Sequence, residues 1–94
     1  MKTYAVPVAY YISEEGSVTP EVYIQPAENP EQAQELVRSR IIDEEKETLA
    51  DVDDLSAYTD EEIREMIPAI WVDGDDEPEE EGFIIAHLRN IIKL

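Results

Sequence analysis

The chain has 94 residues, of which 43% are hydrophobic, and a formal net charge of −17 at pH 7. This length indicates one domain, residues 1–94, with a small hydrophobic core. The sequence contains no cysteine, which excludes disulfides and thiolate metal sites.

The charge limits the class of partner. A strongly anionic protein repels nucleic acids and anionic membranes, so direct binding to DNA, RNA or a lipid surface is disfavoured. It attracts basic surfaces, and most basic surfaces in a cell are nucleic-acid-binding sites. The N-terminal residues lack the apolar run of a signal peptide, and no stretch approaches the ~20 apolar residues of a membrane span. We therefore expect a cytoplasmic protein.

Apolar side chains at every second position near the N-terminal end predict a first strand over residues 3–12. Its even-numbered side chains, from Tyr4 to Ile12, are apolar and share one face. Pro7 cannot donate a ladder hydrogen bond, which predicts an edge strand or a bulge. Tyr11 is expected on the opposite face, as a cover for a second face of the sheet or as part of a binding patch.

A second strand is predicted over residues 18–25, after a turn that contains Gly16. Val18, Val22 and Ile24 are assigned to the core face, with Tyr23 pointing away from the core beside other polar side chains. The two strands are expected to form a hairpin.

Helix-start signals follow the hairpin. Asn29 is a predicted N-cap, Pro30 suits the first helical position, and Gln32 completes a capping box. The apolar side chains that follow, Ala33, Leu36, Val37 and Ile41, form a stripe that can cover the hairpin.

The middle of the chain gives weaker signals. Residues 43–58 suit either a helix or a short, loosely docked helical turn, because Leu49, Val52 and Leu55 recur every three residues. A second capping box begins at Thr59, and Pro68 is expected to end that helix near Ile67.

The C-terminal region predicts two further strands. A strand over residues 69–72 is expected to pair with a strand that begins at Phe83, and residues 73–82 would form a long acidic hairpin loop between them. The apolar residues that follow fit the spacing of a strand and of a helix equally well. Trp71, beside that loop, is a core anchor or a contact residue. The expected fold is α+β: a small antiparallel sheet, built from the N-terminal hairpin and C-terminal strands, with one or two helices on one face.

Most of the charge lies in an acidic block, residues 43–81. The block contains 18 of the 24 acidic residues and two basic ones, for a net of −16, while the preceding residues contribute −3 and the following ones +2. The densest part is 73–81, with seven carboxylates in nine residues. A charge run of this kind forms either a solvated face or a surface for a basic partner.

Metal, cofactor and catalytic patterns are weak. Calcium loops started at Asp73 or Asp51 fail at position 6, where Pro78 and Ser56 replace the required glycine. His87 is the only histidine, and the serines have no neighbouring base in a known motif. We predict no catalytic residue, no metal site and no cofactor, and a protein that is not an enzyme.

In size, charge and layout the chain resembles the small acidic inhibitors of phages and mobile elements, including anti-CRISPR proteins and other DNA mimics. The resemblance covers composition and the acidic block and rests on no residue motif. It implies a non-enzymatic inhibitor that occupies the nucleic-acid site of a basic host protein. The chain departs from it in a basic, apolar end, residues 83–94, which is expected to pack on the sheet or to mediate self-association.

Two groups of carboxylates are predicted to contact that partner. The primary group is Asp73, Asp75, Asp76, Glu77, Glu79, Glu80 and Glu81. The second group is Asp51, Asp53, Asp54, Asp60, Glu61 and Glu62. The alternative is a structural or accessory subunit with apolar interfaces, in which the charge serves solubility or halophily. A third hypothesis is a module that responds to divalent ions.

Overall fold

The computed structural model describes residues 1–12, 14–74 and 81–94 of the chain. Within them, strands and helices follow in the order β1 (Lys2–Ile12), β2 (Ser17–Ala27), α1 (Pro30–Val52), α2 (Asp60–Met66), β3 (Ala69–Val72), β4 (Glu81–Ile85) and β5 (Ile92–Lys93). The sheet order is β2-β1-β4-β3, and β5 also pairs with β1. The α+β fold class is confirmed. None of the helices in these ranges combines the length and the apolar character needed to cross a membrane.

The N-terminal hairpin is confirmed. β1 and β2 pair antiparallel without a break from Lys2 opposite Ala27 to Ile12 opposite Ser17. Gly16 in the turn has a φ of 62°, a left-handed conformation that glycine adopts without a steric penalty.

The core face predicted for β2 is wrong. Residues directly opposite each other in an antiparallel pair share a face, and buried Val6 lies opposite Tyr23. Tyr23 is therefore on the core side, while Val22, opposite Pro7, and Ile24 are exposed on the other side. The more apolar alternating set of β2, which includes Val18, Val22 and Ile24, faces away from the core. The register with β1, and not the apolar pattern of β2 itself, therefore determines the orientation of this strand.

Pro7 was also misinterpreted, because β1 is a central strand. On the side of β1 away from β2, the Pro7 carbonyl accepts a hydrogen bond from the Ala86 N–H at 2.9 Å. This position lies between the β4 pairing, which begins at Val8, and the β5 pairing, which ends at Ala5. The missing proline N–H thus falls where β1 changes partners.

Helix α1 begins as predicted, with one difference. The Asn29 side chain accepts a hydrogen bond from the Gln32 N–H at 2.8 Å, which is the expected N-cap. The Gln32 side chain accepts from the Glu28 N–H at 2.7 Å, one residue before the N-cap. The capping contact is therefore displaced by one residue.

The apolar stripe of α1 is confined to its first half. Ala33, Val37 and Ile41 are buried, whereas Leu36 is 38% exposed. The helix continues to Val52, which is 80% exposed and does not dock as predicted. Only the first half of α1 is anchored by buried side chains, and the second half is polar around most of its circumference.

Helix α2 begins and ends where its local sequence predicts. Thr59 and Glu62 form the complete predicted capping box, and Ile67 is the C-cap before Pro68. Ile63 is the buried residue of the helix. A 3₁₀ turn, Leu55–Ala57, links α1 to α2.

The predicted hairpin between the last strands is wrong, because β3 and β4 pair parallel, with Ala69 opposite Gly82 and Val72 opposite Ile85. The sheet is accordingly mixed. After β4 the chain forms a 3₁₀ turn, Leu88–Asn90, and then β5. This result settles the ambiguous continuation beyond Phe83, and the basic end of the chain packs on β1.

The core lies between α1 and the sheet. It contains the predicted side of β1, the stripe of α1 and the C-terminal residues, namely Tyr4, Val6, Val8, Ala27, Ala33, Val37, Ile41, Phe83, Ile85, Ala86 and Ile91. Tyr10 and Tyr23 pack against its margin. The core occupies one side of the sheet, which we call the helix face; the other side is the open face.

Candidate functional site

The structure describes two residues of the primary predicted group, Asp73 and Glu81; Asp75, Asp76, Glu77, Glu79 and Glu80 lie outside the described residues. Both are exposed. The Asp73 N–H donates to the Ile85 carbonyl at 2.7 Å, at one end of the β3–β4 pair, and Glu81 begins β4 at the other end. Because the strands are parallel, the two residues are roughly 15 Å apart along the sheet. They do not flank the base of a hairpin loop as predicted.

The second predicted group lies at the junction of the helices. Asp51 is in the last turn of α1 and Asp53 is its C-cap, while Asp60, Glu61 and Glu62 form the first turn of α2. All of these side chains are exposed. The group therefore forms one exposed surface, because its members lie at the end of α1 and at the start of α2.

Several of these carboxylates also stabilise the local backbone. Asp54 accepts from the Ser56 N–H at 3.1 Å and from the Ser56 hydroxyl at 2.7 Å, and these bonds lower the pKa of Asp54. Asp53 accepts from the Tyr58 hydroxyl at 3.1 Å. Glu62 accepts from the Thr59 N–H within the capping box. Part of this surface is thus fixed in place before any partner binds.

A third group of carboxylates, not predicted from the sequence, lies where α1 crosses β1 and β2. The Tyr10 hydroxyl donates to Glu81 at 2.7 Å, and the Tyr23 hydroxyl donates to Glu44 at 2.9 Å. Glu21 and Glu45 line the same groove, which has a volume of about 370 Å³. We call this feature the acidic groove.

The floor of the acidic groove is aromatic. The Tyr10 and Phe83 rings are 4.9 Å apart, between centroids, at an interplanar angle of 43°. Arg40 stands over the Tyr23 ring at 4.9 Å from its centroid, a cation–π distance. Carboxylates beside aromatic faces form an environment suited to a guanidinium or ammonium group.

Electrostatic repulsion is already present inside the groove. Partial burial, followed by the neighbouring charges of Glu44 and Glu81, raises the pKa of Glu45. Hydrogen bonding to Glu81, then burial, raises the pKa of Tyr10 to about 12. Burial and the bond to Glu44 raise the pKa of Tyr23 to about 12. A cationic partner would relieve this repulsion.

Glu45→Gln is expected to stabilise the free protein at neutral pH. The folded state favours protonated Glu45, so this group's contribution is fully present below its unfolded pKa and is lost as pH rises through the raised folded pKa. The solvent-screened gain is about 0.5 kcal/mol, or about 2–4 °C in melting temperature. Glu47→Gln on the exposed surface of α1 makes the same charge change and is the control. Equal melting temperatures for the two variants would contradict the assignment.

A second groove has mixed charge. It has a volume of about 450 Å³ between α1, α2 and β3, and its lining includes Glu35, Arg38 and Arg64. The two arginines interrupt the anionic surface on this side of α1. The continuous acidic surface therefore runs from the acidic groove along the second half of α1.

Among the described residues, no group of three or more His, Asp or Glu side chains converges as a metal site. His87 is exposed, and its Nδ1 accepts from the Arg89 N–H at 3.3 Å as the N-cap of the last 3₁₀ turn. Comparison of the chain with protein-family models, with curated proteins and with solved structures finds no match.

Proposed function

We propose that the protein is a non-enzymatic acidic inhibitor that occupies the basic nucleic-acid-binding surface of another protein, such as a CRISPR effector complex or a nuclease, in the cytoplasm of a host cell. The observation that carries this proposal is the row of exposed carboxylates on the second half of α1, between the acidic groove and α2. The resemblance to anti-CRISPR proteins and DNA mimics supports the same function.

The spacing of charge on α1 is close to that of a nucleic acid. Residues 43–53 contain six acids and one base, for a net of −5, and an α-helix rises about 1.5 Å per residue. The net spacing is roughly 3 Å per charge, compared with about 3.4 Å per phosphate along one strand of duplex DNA. A groove lined with lysine and arginine can therefore meet α1 in place of a phosphate backbone.

The rigidity of this surface favours binding over solvation alone. α1 continues as a helix through this acidic half, where like charges at i,i+4 oppose helix formation. Glu44 and Glu81 are held by tyrosine hydroxyls, and Asp53 by Tyr58. Because these three carboxylates are held before binding, a basic partner would order fewer side chains, and the net charge would attract it from a distance.

The test is a pull-down from bacterial lysate with the purified chain, washed at stepwise salt and then challenged with duplex DNA. We expect it to retain nucleic-acid-binding proteins that DNA displaces. If nothing basic is retained, or if the retained proteins ignore both salt and DNA, the acidic surface is only a solvated face and the proposal fails.

Two variants with equal charge locate the contact surface. Neutralising Asp43, Glu44, Glu47 and Asp51 changes the net charge from −17 to −13, and so does neutralising Glu14, Glu15, Glu28 and Glu31 in the hairpin turn and around the start of α1. We expect the α1 variant to lose the captured protein and the second variant to keep most of the binding. Equal losses would show that total charge, and not this surface, determines binding.

The alternative, a structural or accessory subunit whose charge serves solubility or halophily, has one observation in its favour. Val22 is 61% exposed and Ile24 is 53% exposed on the open face of the sheet. A stable complex that forms without a basic partner and strengthens with salt would favour this alternative.

A further inference from the structure

The open face of the sheet is apolar along its length. The pairs Ala5–Ile24, Pro7–Val22, Ala9–Pro20 and Tyr11–Val18 all place their side chains on this face. The register extends it to β4 and β3, where Ala9 lies opposite Ile84 and Ile84 lies opposite Trp71. Ile92 on β5 joins it opposite Ala5. In the described strands, no residue in register on this face carries a charge.

These side chains are exposed to a degree that is unusual for aliphatic residues in a sheet. Val18, Val22 and Ile24 are 56%, 61% and 53% exposed, and Ile92 is 60% exposed. On the helix face of the neighbouring strand β1, Val6 and Val8 are at most 3% exposed. The apolar face of β2 is therefore turned away from the core of its own chain.

The size of the face is in the range of an interaction surface. Two strands of 11 residues, with three shorter strands beside them, cover roughly 500 Å² at the usual strand rise and spacing. This is near the upper end of the largest apolar patches on monomers, about 300–600 Å². Two such faces packed together would bury roughly 1,000 Å², the lower limit for a specific interface.

The charge distribution selects the occupant. The register positions of this face carry no charge, and two acids, Glu21 and Asp73, line its groove, so a basic protein finds few groups to pair with. A net charge of −17 repels nucleic acids and anionic membranes. A flat face that is mostly apolar is complementary to a copy of itself. Sheets that pack face to face lie about 10 Å apart, with each α1 about 10 Å behind its own sheet.

Repulsion between two copies would not prevent this contact. The two α1 helices would lie on the outer sides of the pair, roughly 30 Å apart by these layer spacings. The Debye length at physiological ionic strength is about 8 Å, so the acidic surfaces would be screened from each other. The face also contains a shallow groove of about 470 Å³, whose lining includes Pro7, Pro20, Val22 and Ile84 together with Glu21 and Asp73. Its aliphatic part can receive an aliphatic side chain from the second copy.

We propose that a second copy of this chain covers the open face, giving a two-fold symmetric dimer with the sheets packed face to face and the α1 helices outside. This inference does not depend on the proposed function. It assigns the interface to the sheet, where Ile92 takes part alongside β1 and β2.

The test is sedimentation equilibrium of the full chain at physiological salt, over concentrations up to about 1 mM, which covers weak dimers. We expect a mass twice the 10.8 kDa of one chain and tighter association in 1 M salt, which screens charge and strengthens apolar contact. A single-chain mass at every concentration would overturn the proposal, even if the chain bound another protein.

Two variants with the same charge change identify the face. Val22→Lys and Thr19→Lys each change the net charge from −17 to −16, but Val22 is on the open face and Thr19, opposite Tyr10, is on the helix face. We expect Val22→Lys to weaken dimerisation at least 100-fold and Thr19→Lys to leave it unchanged, with unchanged circular dichroism for both. Equal dimerisation by the two variants would place the interface elsewhere and overturn the proposal.

Discussion

Replacing Ile41 by alanine is expected to destabilise the fold by about 2–5 kcal/mol, the cost of a large buried aliphatic side chain and the cavity that it leaves. Ile41 is 1% exposed and is one of the largest fully buried side chains. It is also the last buried residue of α1, so the polar second half of the helix has no buried anchor beyond it. The total stability of a domain is only about 5–15 kcal/mol, and this variant therefore approaches global unfolding.

Urea denaturation at fixed ionic strength measures this effect. Leu36→Ala is the control, because it shortens an aliphatic side chain of the same helix that is 38% exposed, and it should cost about 1 kcal/mol or less. Similar midpoints for the two variants would show that α1 is not anchored through Ile41.

The fold is also expected to unfold in alkali as pH rises from about 10 to about 12. Tyr10 and Tyr23 have pKa values raised to about 12 from 10.0. A raised folded pKa means that the stability from the protonated hydroxyl is fully present below the unfolded pKa, near 10, and is lost as pH rises through 12. Ionised Tyr10 would face the Glu81 carboxylate at hydrogen-bond distance, and ionised Tyr23 would face Glu44.

Tyrosinate absorbance and near-ultraviolet circular dichroism, followed together through this range, measure the transition. A double variant, Tyr10→Phe with Tyr23→Phe, should lose some stability at pH 7 and show a weaker dependence on pH above 10. Tyr11→Phe removes a hydroxyl from the open face and should retain the wild-type profile. If the double variant unfolds over the same pH range as the wild type, other groups cause the transition.

Local signals predicted the starts of both helices and the end of α2, because capping depends on neighbouring residues, but they did not predict that α1 continues to Val52. Asn29 and Thr59 cap the helices from the positions expected, and Ile67 precedes the proline that follows α2. The orientation of β2 required information from β1, because the more apolar alternating set of β2 faces away from the core. The parallel pairing of β3 with β4 is also non-local, and the local sequence did not predict it.

The candidate site likewise has one part that the local sequence predicts and one part that it does not. The exposed acids at the α1–α2 junction could be predicted from the charge of the block alone. The acidic groove could not, because its hydrogen bonds join Tyr10 to Glu81, 71 residues apart, and Tyr23 to Glu44, 21 residues apart. Its formation depends on the register that places Tyr23 and Val6 on one face.

The position of β1 also determines when the protein can fold during synthesis. β1 is translated before two of its pairing partners, β4 and β5, which lie within residues 81–93. At about 5–20 residues per second, the ribosome takes roughly 3–12 s to add the residues between the hairpin and these strands. During this interval one edge of β1 has no strand beside it, and the acidic residues translated meanwhile would keep neighbouring nascent chains apart. Folding is therefore expected to finish only after residues 81–93 have left the ribosome. A variant with fewer acids between residues 43 and 65 is expected to aggregate more during translation, even if its folded state is more stable.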